Sequence, residues 1–231
     1  NLIISYIVII SLALSIVTST SYKSFYSTYT TEFDQLNQNI LQYLITIIND
    51  NIIVPIDNIY ADVVFNQEEK YLKSFIESTP NQLEISTIYD ILTKYVVNSN
   101  RIVAAVHLYS FKTGIIISSQ YGYKTQHNSS INRDFVNLAN PENKDPYWIP
   151  TRNANAPASA SSSRNILTKV FYIGSPKEQA LLAIDIDERL LYNYVENLIN
   201  KNTNEIIIVD KNMHIITHQD KSLLGTKLLA E

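Results

Sequence analysis

"RIVAAVHLYSFKTGIIISSQ", residues 101–120, is where the chain changes period. Upstream, apolar residues recur every third or fourth position; here they alternate every second one. Arg101–Ser110 reads as a strand and Gly114–Gln120 as its partner, with the turn at Phe111–Thr113. In the first strand Val103, Ala105, His107 and Tyr109 share one face by alternation. "NILTKVFYIGS" (165–175) and "QALLAIDID" (179–187) repeat the pattern around Gly174–Glu178. These four strands suggest an antiparallel group. The helix "ERLLYNYVENLINKN" (188–202) follows, with Asp187 as its N-cap. "IIIVDKNMHIITH" (206–218) then reads as a fresh hairpin. A lone hairpin is marginal in water. Its missing strands are therefore expected past Glu231, leaving an unpaired edge.

Between the two strand pairs, Tyr121–Ser163 reads as irregular. It holds "NPENKDPYWIPTR" (140–152) and the small-residue run "NANAPASASSS" (153–163). A loop this long in a compact domain is usually functional or disordered.

Upstream of the strands the chain is helical. Asn1–Tyr22 carries no charged residue. Roughly 20 apolar residues cross a bilayer, so residues 1–21 are expected to be a transmembrane helix. A cleaved signal peptide is the alternative, but the apolar run is long for one and no A-x-A site follows. The first residue is Asn, which points to a missing start. Residues 22–66 read as one long helix. Phe33, Leu36, Ile40, Tyr43 and Ile47 alternate at three- and four-residue spacing, either to pack on their own domain or to form a dimer seam. Pro55 should kink or interrupt this helix. Two amphipathic helices follow, Gln67–Ser78 and Glu84–Ser99. The order of elements is that of an α+β protein.

The composition excludes several classes. The net charge is −4, so there is no basic stripe for nucleic acid. Cysteine is absent, which rules out disulfides and thiolate metal sites. No Gly-rich phosphate loop, G-x-S-x-G elbow or H-E-x-x-H is present. His214 and His218 are four apart on a strand, about 13 Å, too far to share an ion, and are expected at the surface. Asp185 and Asp187 share a strand face, but the second reads as a helix cap rather than half of a catalytic pair. "NSS" at Asn128 matches a glycosylation sequon by pattern alone. An extracellular enzyme is disfavoured, because no nucleophile–base spacing is offered. No cofactor is expected.

Taken together, "NSNRIVAAVHLYSFKTGIIIS", Trp148, Arg164, "ALLAIDIDERLLYNYV" and "IIIVDKNMHIITHQDKSLLGTKL" after a span and long helix resemble the double Cache sensor domain. More narrowly, the chain resembles the extracytoplasmic part of bacterial membrane-bound AraC-type transcription regulators and related histidine kinases. The resemblance implies two stacked PAS-like sheet modules: a membrane-distal one at 67–202 and the start of a membrane-proximal one at 203–231. It also implies a small-molecule ligand on the distal module, attachment to the bacterial membrane by the first helix, and a homodimer through the long helix. The family usually carries Asp-x-x-Gly in the hairpin turn; here Met213 takes the glycine place, and Asn212 is left to adopt the left-handed conformation. Amino-acid sensors of this group use a Tyr, an Arg, a Trp-Tyr pair and a strand Asp. Asp185 sits where that Asp is expected, and Trp148 lies in the loop that would close the pocket. The order here is Tyr-Trp, and Arg152 and Arg164 are the available cations. An amino acid or another small polar solute is therefore the expected ligand. A pocket combines apolar walls with a few convergent polar groups. On that basis the candidate ligand-binding residues are His107, Tyr109, Trp148, Arg152, Arg164 and Asp185. The rival reading is a ligand-free interaction domain that senses a protein or envelope partner.

Overall fold

The computed structural model describes residues 2–65, 69–99, 102–124, 134–137, 145–154, 164–175, 178–198 and 207–228. The sequon at 128–130 and nearly all of the small-residue run lie outside them. The chain forms two compact units, Asn1–Asn49 and Asp50–Glu231.

Helix α1 (Leu2–Ile48) is almost the whole first unit. It holds a window of mean hydropathy 2.2, none of it buried, and is long and apolar enough to cross a membrane. A π-helical turn, Asn49–Ile53, precedes α2 (Val54–Phe65). Pro55 explains that turn. Proline has no N–H to offer the carbonyl four residues back and its ring crowds that carbonyl. Widening the turn to π removes the clash, and Pro55 then sits in the first turn of α2, where a missing N–H costs little. Helices α3 (Glu69–Glu77) and α4 (Gln82–Asn98) follow. A capping box starts α4: the Asn81 side chain accepts from the Glu84 N–H (3.0 Å), and the Glu84 carboxylate accepts from the Asn81 N–H (2.8 Å).

The second unit is built on one antiparallel sheet of six strands, in the order β3-β2-β1-β6-β5-β4. The strands are β1 (Val103–Ser110), β2 (Ile116–Ser118), β3 (Gly122–Lys124), β4 (Tyr147–Ala154), β5 (Arg164–Ser175) and β6 (Glu178–Asp187). The four strands read from the sequence are β1, β2, β5 and β6. The other two lie in the segment expected to be irregular. The prolines drove that expectation, yet Pro150 lies within β4. An edge strand tolerates proline because the missing N–H faces no partner. The register between β4 and β5 also slips between Ile149 and Arg152, a bulge that absorbs the ring.

Alternation gives the sheet two buried faces. One packs on α3 and α4: Val106, Leu108, Leu182 and Ile184 of the strands are fully or almost fully buried, as are Leu72 and Phe75 of α3 and Leu92 of α4. The other carries Tyr109, Ile116, Val170, Leu181 and Ala183 under Phe135 of the four-residue helix α5 (Asp134–Asn137). Helix α6 (Glu188–Leu198) leaves β6 directly. Asp187 Oδ1 accepts from the Arg189 N–H at 2.9 Å, as expected of its N-cap.

The C-terminal hairpin is β7 (Ile208–Val209) and β8 (Ile215–Thr217). Its turn adopts a different solution from the one expected. Met213 itself takes the left-handed conformation, with φ 67°. Asp210 holds it there: its Oδ1 accepts from the Asn212 and His214 N–H groups, each at 2.8 Å. His218 also differs from expectation. It is buried, and its Nδ1 accepts from the Asp220 N–H at 2.9 Å. His214 stays partly exposed, with its Nδ1 3.1 Å from Asp210 Oδ2.

Candidate ligand-binding site

On the α5-covered face the register sets a polar row across three strands. Asp185 of β6 stands opposite Ala105 of β1 on one side and Thr168 of β5 on the other. His107 is two residues further along β1, the diagonal position that longer side chains reach. Arg152 comes onto the same row from β4, just past the bulge, opposite Ile166.

These four side chains form one hydrogen-bonded chain. Arg152 Nη1 donates to Thr168 Oγ1 at 2.9 Å. Thr168 Oγ1 donates in turn to Asp185 Oδ1 at 2.6 Å. His107 Nε2 lies 3.0 Å from Asp185 Oδ2, so that nitrogen carries the proton shared with the carboxylate. Thr168 is fully buried, and His107 and Asp185 are 3% and 6% exposed. The His107 ring is flanked by Phe135, at 5.5 Å between centroids, and by Tyr121, at 6.1 Å, both tilted 22° from it. His107 Nδ1 is buried and has no hydrogen-bond partner among the described residues.

The electrostatics follow from this geometry. Burial alone pushes the Asp185 carboxyl up. The His107 charge and hydrogen bond, the Thr168 hydroxyl and the Arg152 charge outweigh it and hold the group below the usual carboxylate range. Burial first, and then the Asp185 charge, push the Tyr121 phenol up. Burial first, and then Tyr172, push the Tyr147 phenol above its ordinary range. Tyr147 Oη donates to the Phe135 carbonyl at 3.3 Å, which ties β4 to α5.

Of the six residues singled out from the sequence, His107, Arg152 and Asp185 come together. Tyr109 lies on the same face, packed edge-on against Phe111 at 5.1 Å within the apolar cluster. Arg164 is exposed at the start of β5 and is not brought to the row. Trp148 is on a strand rather than in a closing loop. It stands opposite Lys169, whose side chain alternates away from that of Thr168, so the indole faces the other side of the sheet. There the Lys169 ammonium sits 5.4 Å from the Trp148 ring, 5.1 Å from the Phe171 ring, and in an ion pair with Asp57 of α2. Thr168 was missed, although one signal pointed to it: it is a hydroxyl flanked by Ile166 and Val170 on the same strand face. Phe135 had no such signal, because α5 is a single turn. Among the described residues no cluster of His, Asp or Glu could hold a metal ion.

No protein-family model matches the chain, and no curated protein matches it significantly. Solved structures do resemble it. The extracellular domain of vpHK1S-Z8, assigned as a histidine kinase, matches at 12% identity over 81% of this chain and 68% of that one, with a TM-score of 0.52. The ligand-binding domain of the Pseudomonas aeruginosa PAO1 amino acid chemoreceptor PctC, in complex with GABA, matches at 16% identity over 83% and 79%, with a TM-score of 0.49. That of the Campylobacter jejuni chemoreceptor Tlp3, in complex with L-norvaline, matches at 16% identity over 87% and 67%, with a TM-score of 0.44. At such identities the likeness is one of fold. The fold is the expected one: a long apolar helix, a PAS-like antiparallel sheet of the Cache kind, and a second, partial sheet.

Proposed function

We propose that this chain is the extracytoplasmic small-molecule sensing region of a bacterial transmembrane receptor, whose output is an AraC-type regulator or a histidine kinase. The observation that carries the reading is the row Arg152–Thr168–Asp185–His107, buried from Thr168 onward and ending in a nitrogen without a partner among the described residues. A buried polar atom without a partner costs roughly 1–3 kcal/mol. A ligand that bonds His107 Nδ1 recovers that cost and gains orientation from the fixed ring. Asp185 oxygens already engage His107 and Thr168, so Asp185 aims the imidazole as well as charging the site. A ligand that prefers one arrangement of this row shifts the population toward it. Titration calorimetry of the chain against a panel of amino acids, small carboxylates and polyols tests the reading. Asp185→Ala is expected to abolish any hit, and retained binding would remove Asp185 from the site.

The long helix serves as the dimer contact in this reading. Tyr22, Tyr26, Tyr29, Phe33, Leu36, Ile40 and Tyr43 follow a four-three spacing and are all exposed. Their rings stack along the helix, Tyr22 on Tyr26 and Tyr29 on Phe33, each at 6.3 Å. Such a stripe fits a parallel seam with a second copy. Leu36→Cys should form a disulfide-linked dimer in membranes under oxidation, and Gln38→Cys should not.

One observation favours the ligand-free rival. Tyr109 and Phe135 already fill part of the face with apolar side chains. A panel without hits, together with unchanged stability on adding each compound, would support it.

A further inference from the structure

We propose that the β4 bulge links the polar row to the C-terminal hairpin, so that the hairpin reads the state of the site; this rests on the sensing role proposed above. Arg152 and Thr151 are consecutive residues: Thr151 lies within the register slip between Ile149 and Arg152, and Arg152 is the first residue past it. Arg152 enters the polar row through Thr168. Thr151, 2% exposed, turns to the hairpin and donates from Oγ1 to the Ile216 carbonyl at 2.6 Å. The fit is close from the hairpin side as well. Gly225 has φ 75°, and a Cβ there would lie 2.4 Å from the Thr151 carbonyl oxygen. Only glycine lets the strap after a 3-10 turn (Lys221–Leu223) close against β4 while its N–H bonds the Ile215 carbonyl at 2.8 Å.

A second anchor sits along the chain from Asp185, inside the row. Glu188, three residues after Asp185, is 1% exposed. Its Oε1 accepts from the Thr217 hydroxyl and from Lys221 Nζ, the latter at 2.7 Å. The hairpin is thus held at Thr151 and at Glu188, one residue from Arg152 and three from Asp185. Thr168 alone separates Arg152 from Asp185 in the hydrogen-bonded row. A change in that spacing moves both anchor points, and the hairpin must follow or release one of them. A bulge suits such a link, because its extra residue lets neighbouring side chains serve two different partners.

Hydrogen exchange of the full chain in lipid nanodiscs tests the link without any ligand. Arg152→Gln, which breaks the row at one end, should speed exchange of the Ile215 and Gly225 amides by about tenfold, while amides of β1 and β6 change by less than about twofold. In a Thr151→Val background the same substitution should add less than about twofold at the hairpin. Thr151→Ser should restore the full effect. Gly225→Ala breaks the contact from the other side and is expected to remove the coupling in the same way. Unchanged hairpin exchange in Arg152→Gln overturns the proposal, and so does an equal acceleration in the wild-type and Thr151→Val backgrounds. The sensing role fails on a different readout: a chain that shows the coupling but binds none of the calorimetry panel keeps the mechanical link and loses the receptor assignment.

Discussion

Thr168 and Lys169 are neighbours on β5, and each anchors a polar arrangement on its own side of the same sheet. By composition the Lys169 side looks the more promising binding site, with a cation, a carboxylate and two aromatic rings. Its interactions are closed, however. Asp57 pairs the ammonium, and Trp148 and Phe171 cover it. Tyr60 stacks on Phe171 at 4.5 Å and completes the seam with α2. On the Thr168 side the row ends in His107 Nδ1, which has no partner among the described residues. The two polar arrangements differ in what they leave unsatisfied more than in which residue types they contain.

The largest effect should come from breaking the open side at its centre. Asp185→Ala leaves His107 and Thr168 buried without their acceptor. Removing one partner of a buried charged network costs about 3 kcal/mol, which for a domain of this size lowers Tm by about 10 °C. Calorimetric melting should show this loss together with loss of any ligand response. Asp57→Ala on the closed side should cost less, about 1–2 kcal/mol, because the Asp57 side chain is 48% exposed and solvent screens the pair. Ligand affinity should stay within about twofold in that variant. If Asp57→Ala weakens binding as much as Asp185→Ala does, the two sides are not separate, and the contrast drawn between them fails.

These residues also show which parts of the structure were legible in the sequence. Period-two alternation placed β1, β2, β5 and β6 and put the histidine on its strand face, while the strand Asp was singled out by the resemblance. β4 was hidden, since three prolines in thirteen residues read as a loop when the chain is seen without its neighbours. An edge position and a bulge reverse that reading, and neither is a local property. Trp148, expected in a closing loop, lies instead on β4 opposite Lys169 for the same reason. A loop residue has no face, and a strand residue has one. Met213 is a smaller instance: its left-handed backbone is imposed by Asp210 across the turn, which overrides what the side chain prefers.

Acid sharpens the contrast next. The Asp185 carboxyl is held below its ordinary value in the folded chain. Its contribution is therefore present above the unfolded-state value of about 4 and is lost as pH falls through the lower, folded value. Urea unfolding of the wild type and Asp185→Asn should differ most above pH about 4, and the gap should narrow below it. Other carboxylates, such as Asp210 and Asp220, titrate in both proteins and cancel in the comparison. A gap that widens on acidification would contradict the ionised Asp185 on which the row depends.

Alkali probes the aromatic wall of the same side and should give the smallest effect. Tyr147→Phe removes a long, 3.3 Å hydrogen bond to the Phe135 carbonyl and leaves the ring in place beside Tyr172. The cost at neutral pH should stay below about 1 kcal/mol, a shift of roughly 2 °C. Above pH about 10 the sign should turn. Tyr147 has a raised value in the folded state, so its stabilising contribution is complete below the unfolded value and is lost as pH rises through the folded one. The phenylalanine variant carries no such linkage. Its stability relative to wild type should therefore recover as the pH climbs, and melting curves of both proteins across that range would show the crossing. A constant offset would mean that Tyr147 ionises as easily when folded as when unfolded, and that the wall beside Phe135 is open to water rather than the dry flank that an orphaned His107 Nδ1 requires.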